Sequence, residues 1–313
     1  MGKRILKYQI ILFVVFFLSY SPVFPQSVRP LHEREFLLPF QQLPYNRLQI
    51  KVARYQDFNE KFFDQPFNSC MGLELDVFQD PKEPWNFFVS NGNSQESLSL
   101  VLRKIRDWSD AHPGHFLLTI YLKINQKSCL GDDRLFSKNL DALLAKTLSI
   151  RNLFVPAYLQ RDAKTLLEGV RRYGWPSLSQ LRTGFLVILS GDDTKRLVAR
   201  RKMVYTYTEP YKRIAFVDID QGVASRYSKE KDDISNPYYQ EGSRVFIKLR
   251  PENKSWQKLA SQAHKKGFVC HVKVANSPDA VSLQSAEGAM VNSIMVEDAF
   301  RNPMAYLQEL PQD

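Results

Sequence analysis

Short apolar runs alternate along the chain with stretches of helical periodicity, and this alternation is what most constrains the fold. The runs that predict strands are Leu48–Arg54, Gly72–Val77, Phe116–Ile124, Gly184–Ser190, Arg213–Ile219, Arg244–Leu249, Phe268–Val274 and Ala289–Val296. Apolar stripes predict helices within Leu98–Trp108, Leu140–Leu148, Leu166–Tyr173 and Leu259–Ala263. Strands separated by helices pair in parallel, and eight of them can close on themselves. The sequence therefore predicts an α/β fold, a TIM-type (β/α)8 barrel, with Tyr205–Gly242 largely as loops on one face.

The N-terminus has the pattern of an export signal. Lys3, Arg4 and Lys7 precede an apolar run from Ile10 to Tyr20, and helix-breaking residues follow. The run is shorter than the roughly 20 residues needed to span hydrocarbon. We predict a signal peptide at 1–26, a single barrel domain at 27–313 and a periplasmic or secreted location. An uncleaved N-terminal membrane anchor is the alternative.

The net charge of the chain indicates which binding partners it can attract. The 43 Lys+Arg against 33 Asp+Glu give a formal charge of +10, which favours attraction to phosphate or to an anionic lipid head group, with peripheral membrane contact left open. We predict no nucleic-acid partner, and the sequence indicates no oligomeric state.

Cys70, Cys129 and Cys270 are too widely spaced for a disulfide framework or a zinc site. Buried thiols are expected at Cys70 and Cys270, although one disulfide of unassigned pairing stays open.

Two carboxylates share one face of the second predicted strand. Residues two apart point the same way in a strand, so Glu74 and Asp76 lie together opposite Leu73, Leu75 and Val77. Buried carboxylates need a positive partner. A hard cation such as Ca²⁺ or Mg²⁺ would satisfy them through oxygen ligands, and so would Lys or Arg side chains from other strands. The spacing of Glu74 and Asp76 does not distinguish a bound cation from Lys or Arg partners.

Other polar residues follow the same period of two. Lys123 shares a face with Thr119 and Tyr121, and is a candidate to pair with the carboxylates or to hold a phosphate. His271 and Lys273 share a face of a later strand, where a histidine is more often structural than catalytic.

Aspartates also end two predicted strands. Asp192 and Asp193 follow one strand, and Asp218 and Asp220 end the next. Chemistry in such barrels occurs at the strand C-termini, but aspartates also cap helices there, so these are weak signals.

The order of these segments resembles the bacterial calcium-dependent phosphoinositide phospholipase C-like family over roughly residues 45–300. The segments that carry the resemblance are Gly72–Val77, Leu98–His115, Leu118–Lys123, Leu153–Leu159, Thr165-Leu166, Gly174–Leu178 and Arg182–Leu189. The resemblance implies cleavage of a phosphodiester by a neighbouring inositol hydroxyl. One histidine would deprotonate that hydroxyl, a second would protonate the leaving group, and a calcium ion would stabilise the phosphate charge.

Several positions depart from the family pattern. Arg54 and Asn91 stand where the resemblance places the two histidines, and Tyr55 and Tyr121 stand where it places two calcium ligands. Arginine stays protonated in proteins and is a poor general base. A tyrosine hydroxyl is a weaker ligand than a carboxylate for a hard divalent ion. The sequence therefore predicts impaired catalysis and weak or absent calcium binding.

Three positions keep the family pattern. The resemblance implies metal ligation by Glu74 and Asp76 and a catalytic position at Lys123, beside the histidine positions Arg54 and Asn91.

Ligand-binding roles are predicted for four cationic or titratable side chains, which are Arg54, Lys123, His271 and Lys273. The main hypothesis is a catalytically silent member that binds a phosphate-bearing or inositol-like ligand, or a partner. An active phosphodiesterase using Glu74, Asp76, a metal and His271 is the alternative, and a barrel whose interior ion pairs leave no open site is a third.

Overall fold

The computed structural model describes residues 38–55, 70–91, 94–129, 131–223, 234–235, 237–274, 283–297, 305 and 307–311. The predicted signal peptide lies outside these residues, so its presence stays a prediction. From Phe40 onward the chain forms one compact unit. In the part that is described, no helix has the length and apolar character to cross a membrane.

The described chain is organised around one large sheet. Its strands are β1 Leu48–Arg54, β2 Gly72–Gln79, β3 Phe87–Asn91, β4 Ser94–Ser97, β5 Leu118–Ile124, β6 Phe185–Gly191, β7 Phe216–Asp220, β8 Phe246–Lys248, β9 Val269–Lys273, β10 Ser293–Val296 and β11 Leu307–Glu309. Eight of them pair in parallel in the order β1-β2-β5-β6-β7-β8-β9-β10, and β10 pairs with β1. The predicted TIM-type barrel and its eight predicted strands are confirmed.

Helices follow most of the barrel strands. They are α1 Leu98–Ala111, α2 Asp133–Leu148, α3 Pro156–Gln160, α4 Leu166–Tyr173, α5 Arg196–Tyr207, α6 Pro237–Gln240, α7 Trp256–Lys265 and α8 Leu283–Glu287. In α1 the apolar stripe from Leu98 to Trp108 is buried, as its spacing predicts. The α2 helix begins where the Asp132 side chain accepts backbone N–H groups of Arg134 and Leu135.

The prediction of loops over Tyr205–Gly242 was too broad. The segment includes the end of α5, all of β7 and the short helix α6. The α5 helix lacks a clear apolar stripe because Arg201 and Lys202 are buried and ion-paired, so polar residues occupy its inward face.

A hairpin that the sequence did not reveal completes the barrel wall between β1 and β2. The first half of β2 pairs with β1, from Gly72 to Glu74, while its end pairs with β3 in antiparallel fashion. Gly72 permits the close approach, because a Cβ there would lie 2.9 Å from the Val52 Cγ2 atom. The β3–β4 hairpin therefore lines the C-terminal end of the barrel, called the mouth below.

All three cysteines are buried and free, so no disulfide forms. Burial raises the pKa of the Cys70 thiol to about 12 and that of Cys129 to about 11. The expectation of buried thiols at Cys70 and Cys270 is confirmed.

Candidate functional site

Four charged residues that the sequence singled out meet at the mouth. Arg54 ends β1 beside Glu74 on β2, and Asp76 lies opposite Lys123 on β5. Parallel partners in register point to the same side of a sheet, so these side chains share the barrel interior. The structure brings together Arg54, Glu74, Asp76 and Lys123, which we call the mouth cluster.

Both carboxylates of the mouth cluster are already paired with cations. Lys123 Nζ lies 2.8 Å from Asp76 Oδ1 and 3.7 Å from Glu74 Oε1. Arg54 Nε lies 3.8 Å from Glu74 Oε1, and its Nη2 lies 3.8 Å from Asp76 Oδ2. The Glu74 side chain is 5% exposed, whereas those of Arg54 and Lys123 are 19% and 30% exposed. The Asp76 side chain is 20% exposed, so Glu74 is the buried member of the cluster and solvent reaches the other three.

The pKa values of the two lysines at the mouth are shifted in opposite directions. Partial burial alone would lower the pKa of Lys123, but the charges of Glu74 and Asp76 outweigh burial and raise it above the ordinary value. The pKa of Lys273 is lowered, first by burial and then by the charge of Arg54. Lys123 therefore keeps its proton at neutral pH.

The two tyrosines at predicted ligand positions are engaged elsewhere. The Tyr55 hydroxyl donates to Glu96 Oε2 at 2.6 Å, and Lys104 Nζ lies 2.7 Å from Glu96 Oε1. Tyr121 is fully buried and its hydroxyl donates to Ser293 Oγ at 2.8 Å. Tyr55 thus ties the end of β1 to the β3–β4 hairpin and α1, while Tyr121 belongs to the barrel interior.

These side chains do not fit a calcium ion. Calcium takes about six to eight oxygen ligands, and the described residues contain no group of three or more His, Cys, Asp or Glu side chains arranged to hold a metal. Glu74 Oε1 is buried without a hydrogen-bond partner, but Arg54 and Lys123 lie closest to it as positive charges that repel a divalent ion.

A second, fully buried network lies in the barrel interior. His271 Nε2 lies 2.9 Å from Asp218 Oδ2, and the His271 ring is 4.7 Å from the Tyr121 ring. Lys202 of α5 lies 2.7 Å from Asp193 Oδ1 and also bonds Asp218. Lys202 outweighs the effect of burial on Asp218 and holds the pKa of that carboxyl well below its usual range. His271 is 1% exposed, so this structure places it among structural partners rather than in the mouth cluster.

Lys202 reaches the interior where two strands separate. β6 and β7 pair only through Ile188–Phe216 and Leu189–Val217. Beyond these pairs the backbone N–H groups of Asp193 and Asp220 donate to each other's carboxylates, at 3.4 and 3.2 Å. Side chains thus replace the missing backbone ladder, and Lys202 neutralises part of their charge.

The remaining strand-end aspartates hold an arginine that the sequence analysis did not single out. Arg250 Nε lies 2.5 Å from Asp220 Oδ1, and Arg250 Nη2 lies 2.5 Å from Asp192 Oδ1. A Cβ at Gly222 would lie 2.5 Å from Arg250 Nε, so only glycine leaves room for this guanidinium. Nothing in the local sequence marks Arg250, because its partners come from two other strands.

Asn91 is placed by the backbone alone. The pairing of β3 with β2 ends at Val89 and Val77, and two residues further along β3 Asn91 pairs with Ser94 of β4. The Asn91 side chain lies outside the described part of the structure.

Part of the chain matches the model of a known protein family. Residues 89–238 match the family model described as "Phosphoinositide phospholipase C, Ca2+-dependent". This segment is similar to the calcium-dependent phosphoinositide phospholipase C family.

Solved structures support the shared barrel. The calcium-dependent enzyme from Pseudomonas sp is 20% identical, with a TM-score of 0.65 over 87% of this chain and 97% of that one. Its myoinositol complex gives a TM-score of 0.66 with the same identity and coverage. The Streptomyces antibioticus enzyme is 18% identical, with a TM-score of 0.58 over 82% and 94% of the two chains. No curated protein matches the chain. At these identities the likeness establishes the fold of this phospholipase C-like chain.

Proposed function

We propose that this phospholipase C-like barrel binds a phosphate-bearing, inositol-like ligand at its mouth and is catalytically silent. The observation that carries the proposal is the mouth cluster, in which two partly exposed cations flank one buried carboxylate oxygen without a donor.

The mouth cluster offers both kinds of contact that a polyol phosphate needs. A guanidinium pairs with phosphate oxygens through two parallel N–H groups, and an ammonium binds them as a point charge. Arg54 and Lys123 supply these two groups. Glu74 Oε1 lacks a hydrogen-bond donor, and a ligand hydroxyl would provide one. A phosphate with a neighbouring hydroxyl satisfies all three side chains at once.

The same cluster lacks a pair of groups that exchange protons near neutral pH. Attack by a neighbouring hydroxyl needs a base and an acid, which is why histidine suits this chemistry. An arginine guanidinium is a poor general base, the neighbouring carboxylates raise the pKa of Lys123, and His271 is buried against Asp218. Loss of one acid–base partner costs about 10²–10⁴ in rate, so the loss of both accounts for a silent site.

Calorimetry with myo-inositol 1-phosphate tests the binding. We expect saturable binding to the wild type and an affinity about 10–100-fold lower for Lys123→Gln, because a hydrogen bond to a charged group contributes about 1.5–3 kcal/mol. Lys212→Gln is the matched control, since Lys212 lies in an exposed pair with Glu209, and its affinity should match the wild type. Equal affinities for all three proteins would refute the mouth as the binding site.

Turnover is tested separately with phosphatidylinositol vesicles, with and without Ca²⁺. We expect no release of inositol phosphate above the background. Metal-dependent turnover that Glu74→Gln abolishes would establish the active alternative instead.

A further inference from the structure

We infer that Arg54 supplies, as a permanent part of the chain, the positive charge that a calcium-dependent relative takes from a metal ion. Anion binding at this mouth is then independent of calcium. The ligand's identity rests on the proposed function, whereas the position of Arg54 among the carboxylates rests on the geometry of this chain.

Arg54 is surrounded by three carboxylates. Its Nε, Nη2 and Nη1 atoms each lie 3.8 Å from a different acid, and these acids are Glu74, Asp76 and Glu297. Glu74 and Asp76 come from β2, and Glu297 follows β10, so the three acids approach the guanidinium from both neighbours of β1. Arg54 therefore stands at the centre of an acidic triad.

With Arg54 between them, these three carboxylates are not arranged to hold a metal ion, but carboxylate oxygens are ligands that a hard divalent ion prefers. The guanidinium of Arg54 fills this place with a positive charge that no chelator removes. Lys123 adds a second positive charge within 2.8 Å of Asp76, and burial together with Arg54 lowers the pKa of Lys273 nearby. A divalent ion entering this site would have to displace Arg54 and approach other cations.

Removal of the guanidinium should therefore create a cation site. We expect Arg54→Asn to bind one equivalent of Ca²⁺ with a Kd at or below about 1 mM, which is the range of weak calcium modules. The wild type should bind none at that concentration. Arg47→Asn is the matched control, because it removes the same charge from an exposed pair with Glu309, just before β1. Calorimetry with Ca²⁺ and luminescence of Tb³⁺ excited through nearby aromatic rings measure the binding.

Thermal unfolding provides a readout that needs no ligand or turnover. Calcium at 10 Kd or more should raise the Tm of Arg54→Asn and leave the Tm of the wild type and of Arg47→Asn unchanged. If Arg54→Asn does not fold, Arg54→Gln, whose longer neutral side chain keeps more of the packing, replaces it in both measurements. One-equivalent calcium binding by the wild type, or no gain in a folded Arg54 variant, overturns the inference.

A final comparison separates this inference from the proposed function. The affinity of the wild type for inorganic phosphate and for myo-inositol 1-phosphate is measured in EDTA and in 1 mM Ca²⁺, and should agree within twofold. Binding that appears only with calcium contradicts the inference but leaves the proposed ligand in place. A gain of calcium binding by Arg54→Asn, with no phosphate binding by the wild type, contradicts the proposed ligand and supports the inference.

Discussion

Replacing Lys202 with methionine lowers the free energy of unfolding by about 3–5 kcal/mol, the loss expected when one partner of a buried ion pair is removed. Lys202 is fully buried and is the cation between Asp193 and Asp218. Methionine fills a similar volume, so the loss comes from charge rather than from a cavity. The carboxylates left behind would be desolvated without a neutralising partner.

Urea denaturation of the two proteins measures this effect. Lys212→Met is the control, because Lys212 pairs with Glu209 on the surface, with side chains 60% and 50% exposed. A surface pair of this kind contributes about 0–1 kcal/mol. Adding Asp218→Asn to Lys202→Met should recover part of the loss, since one unpaired charge disappears. A loss from Lys202→Met no larger than that of the control would mean that the network is not buried in solution.

Raising the pH from about 10 to about 12 should unfold the protein. Burial raises the pKa of Tyr45 to about 12 and raises those of Tyr121 and Tyr205 well above 10. In the unfolded chain these phenols ionise near pH 10. The unfolded state therefore binds fewer protons above pH 10, and stability falls as the pH rises. Each tyrosine contributes a slope of about 1.4 kcal/mol per pH unit, or about 4 for the three together.

That slope would remove a typical stability of about 5–15 kcal/mol within a few pH units. Circular dichroism should show loss of structure in this range, and tyrosinate absorbance should report the buried phenols ionising in the same transition. Tyr121→Phe should reduce the slope by about one third, whereas Tyr211→Phe should leave it unchanged because Tyr211 is 68% exposed. Ionisation of the buried phenols before unfolding would contradict the assignment.

The sequence predicts the barrel and half of the site because both depend on local periodicity. The period of two places Glu74 and Asp76 on the inward face of β2 and Lys123 on the inward face of β5. The register of these two strands then brings the three side chains together. Whether a metal or side chains would neutralise the carboxylates was open, because the answer depends on Arg54 lying beside Glu74 across two strands.

The parts that the sequence did not predict have tertiary causes. Lys202 lies on a helix and enters the interior only because β6 and β7 separate after two residue pairs. The β3–β4 hairpin is short and polar in its second strand, so it lacks the apolar run that marks the barrel strands. The role of Arg250 depends on its ion pairs with Asp192 and Asp220, which are distant from it in the sequence.

The mouth cluster pairs two carboxylates with two cations, and this balance affects how a ligand arrives. Equal and opposite charges a few ångströms apart produce a field that fades quickly with distance, so the entrance itself cannot steer a distant anion. The mouth then recognises the ligand only after the two have collided, when contacts with the ligand replace the ion pairs within the mouth. Ionic strength should accordingly alter the lifetime of the complex more than the rate at which it forms.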